Sequence, residues 1–457
     1  MTFNKKFYSF AAAILSIGLL VSGCGDDTKD EAAGSGSTDE KVQLELWLTP
    51  QWKGVQDASE DGADYDSFFK KAAEDYTKEN PNVAIDIQVI PGEERADKLS
   101  VAMQTKTLPD MFFDSAFALT EYAHAGILAP MDDIIDDESK KDIPETIWDN
   151  VQINDETYFY PFSHNPGTLA YNAEMFEKAG LDEYISGEYE IATWTPEEYE
   201  MILETLKEKL PDVSPMGLFA KNNQGDTWNL SYLTMFGNKI YDKDGQIVVN
   251  EENGVKALEY IKNLNDKELT TAGAETLSSN DVNAMFQNQQ VAVSFTNSVL
   301  FNGILNDMEN GVVNKFDLRL ANIPGEKNPT SFTYVAGGAV FNTGTEAEVE
   351  ASKDFVKFFS TDKELVKASK NSLPVRESVS KEASSELPYL EAYNKNSEYI
   401  FNFSNNTPGY AELRNAFFPE LQAVFTDEKT PQEALDSFAE NGNRIIDTNT
   451  EKSVILK

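Results

Sequence analysis

The chain of 457 residues contains one cysteine and two histidines. A single cysteine cannot form an internal disulfide, so packing must stabilise the fold. The cysteine and the histidines also lack the spacing of a zinc or heme site, which argues against a transition-metal enzyme. We expect no cofactor. No EF-hand loop is present, although calcium bound by carboxylates stays open.

Positive charge is also scarce, because 38 lysines and arginines stand against 78 acids and give a formal net charge of −40. Such a surface argues against binding to nucleic acid and against direct adhesion to an anionic membrane. The sequence has no Gly-x-Ser-x-Gly elbow, no phosphate-binding loop and no Cys–His pairing. With 78 acids, a pair of carboxylates at catalytic spacing is always available, so the acids alone do not indicate an enzyme.

The N-terminal residues have the layout of an export signal. Lys5 and Lys6 precede a short apolar run, and acids begin at Asp26. This pattern predicts a signal peptide over residues 1–23 rather than an uncleaved membrane anchor. The segment "VSGC" resembles a bacterial lipobox, which implies lipidation (palmitate) at Cys24. Residues 24–40 are Gly, Ser, Thr, Ala and acids, so we expect a flexible acidic linker.

Strand and helix patterns alternate after the linker. "VQLELWL" (42–48) and "VAIDIQVI" (83–90) have the composition of buried strands, and amphipathic helical patterns follow each of them. This order predicts a parallel sheet with crossover helices. Ligands of such sheets bind beyond the carboxyl ends of the strands. Gln51 and Trp52 follow the first strand, and Asp114 and Ser115 end a third, "MFFDS".

Seven pieces of the sequence form an ordered set of short motifs. They are the lipobox, "LPDMFFDSAFALTEYAHAGILAPMDDI" (108–134), "LAYNAEMFEKAGL" with "ATWTPEEYEMI", "MFQNQQVAVSFTNS" (285–298), "YVAGGAVF" (334–341), "EASKDFVKFFSTDKEL" (350–365) and "LPVRES" (373–378). Together they resemble the bacterial extracellular solute-binding proteins that serve carbohydrate ABC importers. Gln289, where the family usually has glycine, and Asn154-Asp155-Glu156, in place of Asp-Gly-Lys, depart from the family pattern.

The resemblance implies an α/β chain with a two-lobe, periplasmic-binding-protein-like fold of type II. The lobes are discontinuous, are joined by hinge strands and close on a ligand. We expect an N-terminal lobe of residues 41–163 and 287–337 and a C-terminal lobe of residues 164–286 and 338–457. The apolar strand near residues 290–295 is thereby assigned to the first lobe.

The resemblance also suggests which residues bind a sugar, whose apolar face suits aromatic rings and whose hydroxyls suit polar side chains. Asp114 has a helix N-cap as its alternative role, Trp52 has loop packing, and the two glycines have a bulge or tight bend. Tyr410 and Arg414 are chosen by position only, and His164 is expected to be structural. The predicted ligand-binding residues are Gln51, Trp52, Asp114, Ser115, Asn165, Trp228, Asn229, Asn297, Ser298, Gly337, Gly338, Arg376, Tyr410 and Arg414.

We therefore expect a monomeric, non-enzymatic binding protein that captures a sugar or oligosaccharide between its lobes and delivers it to ABC permease subunits. Its lipid anchor would hold it at the extracellular face of the cell membrane. Two alternatives stay open: an exported glycoside-active enzyme with two carboxylates, and a binding protein for another solute such as a peptide or a polyamine.

Overall fold

The computed structural model describes residues 41–456, except residues 57–59, 93, 222–227, 369–371, 386 and 388. The predicted signal peptide (1–23), Cys24 and the linker (24–40) therefore lie outside the described residues. Among the residues described, no helix is long and apolar enough to cross a membrane.

The chain alternates strands and helices over its first third and is mainly helical at its end. The strands are β1 (Val42–Leu48), β2 (Val83–Val89), β3 (Met111–Ser115), β4 (Gln152–Ile153), β5 (Glu156–Thr157), β6 (Tyr160–Asn172), β7 (Ile191–Ala192), β8 (Ser214–Met216), β9 (Val291–Asn297), β10 (Leu318–Ala321), β11 (Ser331–Val340), β12 (Leu373–Pro374) and β13 (Ile400–Phe401).

Helices connect most of these strands and follow the last of them. They are α1 (Ser67–Glu79), α2 (Arg95–Thr105), α3 (Ala116–His124), α4 (Asp137–Asp142), α5 (Glu145–Trp148), α6 (Ala173–Ala179), α7 (Pro196–Lys209), α8 (Trp228–Tyr232), α9 (Glu252–Asp266), α10 (Ser279–Gln287), α11 (Ser298–Glu309), α12 (Glu346–Thr361), α13 (Lys363–Lys367), α14 (Glu377–Ala383), α15 (Tyr389–Lys395), α16 (Tyr410–Phe425) and α17 (Pro431–Lys452).

Local sequence accounts for several helix ends. Thr195 accepts a hydrogen bond from Glu198 N, and the Glu198 side chain accepts one from Thr195 N, which completes a capping box before Pro196. Gly180 ends α6 at a φ of +77°, a conformation that glycine adopts without a Cβ penalty. Gln289, which stands where we noted a missing glycine, has a φ of +58°. The turn before β9 therefore has a left-handed residue without glycine.

The sheet runs in the order β2-β1-β3-β11-β6-β10-β7. Strands β2, β1 and β3 are parallel, as the strand–helix alternation predicted. Strand β11 is antiparallel to both β3 and β6. Side chains of residues 44–162 and 335–379 form one hydrophobic cluster, the first core. Residues 169–332 and 403–446 form another, the second core.

Two strands pass from one core to the other. On β6, Phe162 is buried in the first core and Leu169 in the second. On β11, Phe332 belongs to the second core and Val335 to the first. The fold is thus a two-lobe α/β architecture in which β6 and β11 are hinge strands, as expected.

The packing of two segments differs from the expected lobe assignment. Strand β9 was expected in the first lobe, but Val293 and Phe295 lie in the second core, because β9 pairs with residues 167–171 of β6 and with β8. Helix α12 was expected in the second lobe, but its Phe355 and Phe359 lie in the first core. There both rings contact aromatic side chains of α1.

The end of the chain also joins the two cores. Helix α17 is buried against the second core through Leu435 and Phe438. Beyond its end, Ser453 Oγ lies 3.1 Å from Nδ1 of His124, a buried residue of α3. The other ring nitrogen of His124 lies 3.0 Å from the Asn406 carbonyl oxygen.

Candidate functional site

A cleft of about 800 Å³ lies where the two cores face each other. Its walls include the carboxyl ends of strands from both lobes, which is where ligands of α/β sheets bind. Residues from these ends and from α2, α3, α8, α10 and α16 contribute. The lining includes Thr49, Gln51, Arg95, Asp114, Ser115, Phe117, Asn165, Trp228, Asn280, Asn283, Asn297, Tyr334, Arg414 and Asn415.

A charged network forms the first-lobe wall. Asp114 is 2% exposed and accepts hydrogen bonds from Thr49 Oγ1 (2.8 Å), from the Ser115 amide (2.7 Å) and from Arg95 Nη1 (2.8 Å). Gln51 donates to Thr49 Oγ1 at 3.2 Å. The N-cap of α3 is Ser115, while the Asp114 carboxylate is held between Arg95 and Thr49. The network therefore presents fixed polar groups to the cleft.

A second group of polar residues lies where β6 meets β9. Asn165, on β6, accepts a hydrogen bond from Ser298 Oγ at 3.2 Å. Ser298 is fully buried and lies behind the cleft surface, so it positions Asn165 rather than lining the cleft. Asn297 lines the cleft and also caps α11 by accepting from Leu300 N at 3.0 Å.

Aromatic rings and a guanidinium complete the middle of the cleft. The Arg414 guanidinium lies 4.6 Å from the centre of the Phe117 ring, a cation–π distance. Phe117 also contacts Tyr334, with ring centres 5.4 Å apart. Tyr410 packs on Phe117 from behind, at 6.1 Å, and does not line the cleft.

Trp228 lies at the edge of the cleft but is only 4% exposed. Its ring stacks on Phe295 at 5.7 Å, so one face is already covered by protein. Its indole nitrogen, Nε1, is buried and has no hydrogen-bond partner among the described residues. Trp228 can therefore offer a ligand a hydrogen-bond donor more readily than a free ring face on which a sugar could stack.

Four of the predicted residues pack elsewhere. Trp52 stacks on Phe162 at 5.9 Å in the first core, which is the packing role that was its alternative. Asn229 is buried and donates to the Phe219 carbonyl oxygen at 2.7 Å. The glycine pair lies in the sheet, at a bulge between Ala336 and Gly337. A Cβ on Gly337 would meet the Tyr160 carbonyl oxygen at 2.3 Å, and one on Gly338 would meet Val356 at 2.8 Å.

Arg376 was also expected in the cleft, but the structure buries it inside the first lobe. Its side chain donates to the Ser360 carbonyl oxygen at 2.8 Å and to Ser139 Oγ at 2.7 Å. Its Nη1 lies 3.4 Å from Asp142. These partners leave the guanidinium tied to α4 and α12, where it holds the start of α14.

The sequence interpretation missed Arg95, Phe117, Asn280, Asn283, Tyr334 and Asn415. One signal could have found Tyr334, because it is the only ring in "YVAGGAVF" apart from the last residue, and it pairs with Asn165 across the hinge strands. Within the described residues, no group of three or more His, Cys, Asp or Glu side chains is placed to hold a metal ion.

Comparison with known proteins gives concordant matches. Residues 59–365 match the family model described as bacterial extracellular solute-binding protein. The chain is 22% identical over 462 residues to the arabinooligosaccharide-binding protein of Bacillus subtilis, an alignment that covers 95% of this chain and 98% of that protein. It is 26% identical over 256 residues to an uncharacterized ABC transporter extracellular-binding protein of Pyrococcus horikoshii, covering 54% of each.

Solved structures match over a similar extent. The cyclic α-maltosyl-1,6-maltose binding protein from Arthrobacter globiformis gives a TM-score of 0.73 at 21% identity, covering 89% of this chain and 100% of that one. The sugar-binding protein MalE from Xanthomonas citri gives 0.71 at 18% identity, covering 89% and 98%. At these identities the matches establish a shared two-lobe fold.

Proposed function

Because the chain belongs to the family of bacterial extracellular solute-binding proteins, we propose that it captures a sugar or an oligosaccharide in the cleft and delivers it to the permease of an ABC importer. The observation that carries the proposal is the make-up of the cleft. It combines amide side chains, a paired arginine and aspartate, and the aromatic rings of Phe117, Trp228 and Tyr334.

The chemistry of these groups suits a carbohydrate. Amides and carboxylates have two or more hydrogen-bonding atoms each, so that one side chain can bind neighbouring hydroxyls. Phe117 and Tyr334 offer apolar edges to the C–H face of a sugar ring. Positive and negative groups are both present, which suits an uncharged ligand better than a polyamine, for which several convergent acids would be needed.

Capture without chemistry agrees with the family and with the two-lobe architecture. In the open form, the polar walls of the cleft would be hydrated. Bending of β6 and β11 would bring these walls together around a ligand. Proteins that resemble this chain include a cyclic α-maltosyl-1,6-maltose binding protein, a sugar-binding protein and an arabinooligosaccharide-binding protein, which supports a sugar without specifying which one.

Delivery to a membrane permease would be favoured by a tether. We propose that Cys24 carries lipid and that residues 24–40 connect it to the folded body, which places the protein at the outer face of the membrane. A lipid chain contributes about 0.8 kcal/mol per buried methylene. Mass spectrometry of the membrane-extracted N-terminus tests this step, and an unmodified chain that begins at Met1 would contradict it.

The sugar proposal is tested with a thermal-shift screen of the chain against maltose-type and arabinose-type oligosaccharides and monosaccharides. A ligand that binds the native state raises the melting temperature as its concentration rises. No response to any sugar would overturn the proposal, and so would breakdown of the sugar during incubation, which would indicate an enzyme.

A matched pair of variants tests whether the cleft is the site. Asn283 lines the cleft, whereas Asn288, which ends the same helix, does not. Asn283→Ala should weaken sugar binding by roughly tenfold, the equivalent of about one hydrogen bond. Asn288→Ala should leave the affinity unchanged. Equal effects of the two substitutions would place the sugar elsewhere.

A further inference from the structure

A second cavity, of about 570 Å³, lies on the other face of the hinge strands. We call it the rear cavity. Asn165 lines the cleft and its neighbour His164 lines the rear cavity, because successive residues of a strand point to opposite faces. The same alternation holds on β11, where Tyr334 lines the cleft while Thr333 contacts His164 at 3.1 Å.

The walls of the rear cavity come from both sides of the hinge. Ile147, on α5, belongs to the first core, whereas α15 carries Leu390 of a third hydrophobic cluster. Beside His164, the lining combines five apolar residues with five uncharged polar ones, Thr146, Ser380, Ser384, Asn394 and Ser397, and with four exposed charged residues in equal numbers of each sign. The apolar residues are Pro144, Ile147, Pro374, Val375 and Ile400, and the charged residues are Glu377, Lys381, Glu391 and Lys395.

His164 supplies an imidazole nitrogen to the rear cavity. The residue is 6% exposed, and its Nδ1 is paired with Thr333. Its Nε2 has no hydrogen-bond partner among the described residues. Burial lowers the pKa of the imidazole to about 4, so the ring is uncharged at neutral pH. A ligand in the rear cavity could therefore form a hydrogen bond with this nitrogen.

We propose that the rear cavity is a second ligand site, which takes a small uncharged molecule with an apolar body and one hydrogen-bonding group that meets Nε2 of His164. The volume lies within the range of small-molecule sites. The five apolar residues of the wall suit the body of such a molecule, and the hydroxyl and amide side chains carry no charge that would repel it. The balanced charges of the lining give no preference for an ion of either sign.

An occupant of the rear cavity would act on the cleft through the hinge. Closure must bend β6 and β11, and His164 and Thr333 lie on those strands. A molecule packed behind them stabilises one hinge geometry over the other and so changes the affinity of the cleft. This regulatory consequence rests on the proposed sugar-binding function, whereas the binding site itself does not.

The site is tested by NMR of the full chain labelled with ¹⁵N-histidine, titrated with indole, benzyl alcohol and cyclohexanol as neutral probes. With two histidines in the sequence, the His124→Gln variant assigns both imidazole signals. We expect at least one probe to shift the ring nitrogens of His164 saturably while those of His124 stay unchanged. Indole-3-acetate, the charged counterpart of indole, should bind more weakly. Absence of a saturable shift with all three neutral probes would overturn the proposal.

Two substitutions on neighbouring serines separate cavity binding from nonspecific binding. Ser384 lines the rear cavity and Ser385 does not. Ser384→Trp fills part of the cavity and should weaken the probe by about tenfold or more, equivalent to about 1.4 kcal/mol. Ser385→Trp should bind as the unmodified chain does. Unchanged binding in Ser384→Trp would refute this location.

Sugar affinity, measured with and without a saturating neutral probe, tests the coupling. A change of about fivefold or more is expected for linked sites. An unchanged affinity would refute the regulatory role. If no sugar binds at all, the His164 signal still reports on the rear cavity, so failure of the sugar proposal and failure of this one are distinguishable.

Discussion

Replacing Asp114 with asparagine should destabilise the first lobe by about 2–3 kcal/mol. Asparagine has the same shape as aspartate, and its side-chain oxygen can still accept hydrogen bonds from Thr49 and from the Ser115 amide. Its NH2 group, however, would face the Arg95 guanidinium, and both of these groups are hydrogen-bond donors. Side-chain exposure is 3% for Asp114 and 24% for Arg95. The burial of this ion pair is therefore intermediate. Exposed ion pairs stabilise a fold by about 0–1 kcal/mol, whereas disruption of a buried pair costs about 3–5 kcal/mol.

Equilibrium unfolding in urea gives the measurement, with Asp75→Asn as the matched control. Asp75 pairs with Lys71 on the surface of α1, so its substitution should cost no more than about 0.5 kcal/mol. In a double-mutant cycle, Arg95→Gln should cost less in the Asp114→Asn background than alone. Costs that add without coupling, or an Asp114→Asn cost no larger than that of Asp75→Asn, would refute the reasoning.

Two further predictions concern an indole nitrogen and an imidazole. Trp228→Phe removes Nε1 at the cleft and should weaken sugar binding by about three- to tenfold. Trp52→Phe removes another buried, unpartnered Nε1 away from the cleft. It should leave sugar binding unchanged when the affinities of both variants are measured by isothermal titration calorimetry. Burial lowers the pKa of His164 in the folded chain to about 4, whereas an unperturbed histidine has a pKa of about 6.5. As the pH falls below about 6.5, the unfolded chain therefore binds a proton at this residue before the folded chain does. The chain should lose about 2 kcal/mol of stability from this residue between pH 7 and pH 5. His164→Gln should abolish that part of the pH dependence, and identical unfolding curves of the two proteins at both pH values would contradict it.

The sequence was sufficient for features that depend on local order. The parallel strands β1 and β2 follow from apolar patterns separated by a helical pattern, and both are present. The assignment of β9 and α12 to lobes does not agree with the cores in which they pack. An apolar segment has the same local sequence pattern whichever core buries it. Strand pairing over more than a hundred residues decides between the cores, and a single sequence carries no signal for it.

Several predicted residues line the cleft, and their role in ligand binding stays a prediction. Asp114 and Asn297 line it because strand ends of a shared sheet converge, whereas Asn165 and Arg414 face it from inside β6 and α16. Arg376 failed because a buried arginine with protein partners has the same local sequence as one that faces a ligand. Trp52 failed for a related reason, since a tryptophan after a strand can turn either toward the cleft or back into the core.

The alternation along β6 has a consequence for how the protein tolerates change. His164 and Asn165 serve opposite faces of one strand, and the strand has no loop between the two lobes in which an extra residue could be absorbed. Insertion or deletion of one residue here would exchange the faces of every following side chain. An imidazole would then enter the cleft, and an amide would enter the rear cavity. Substitutions can adjust either cavity independently, but length changes in this strand would disrupt both at once.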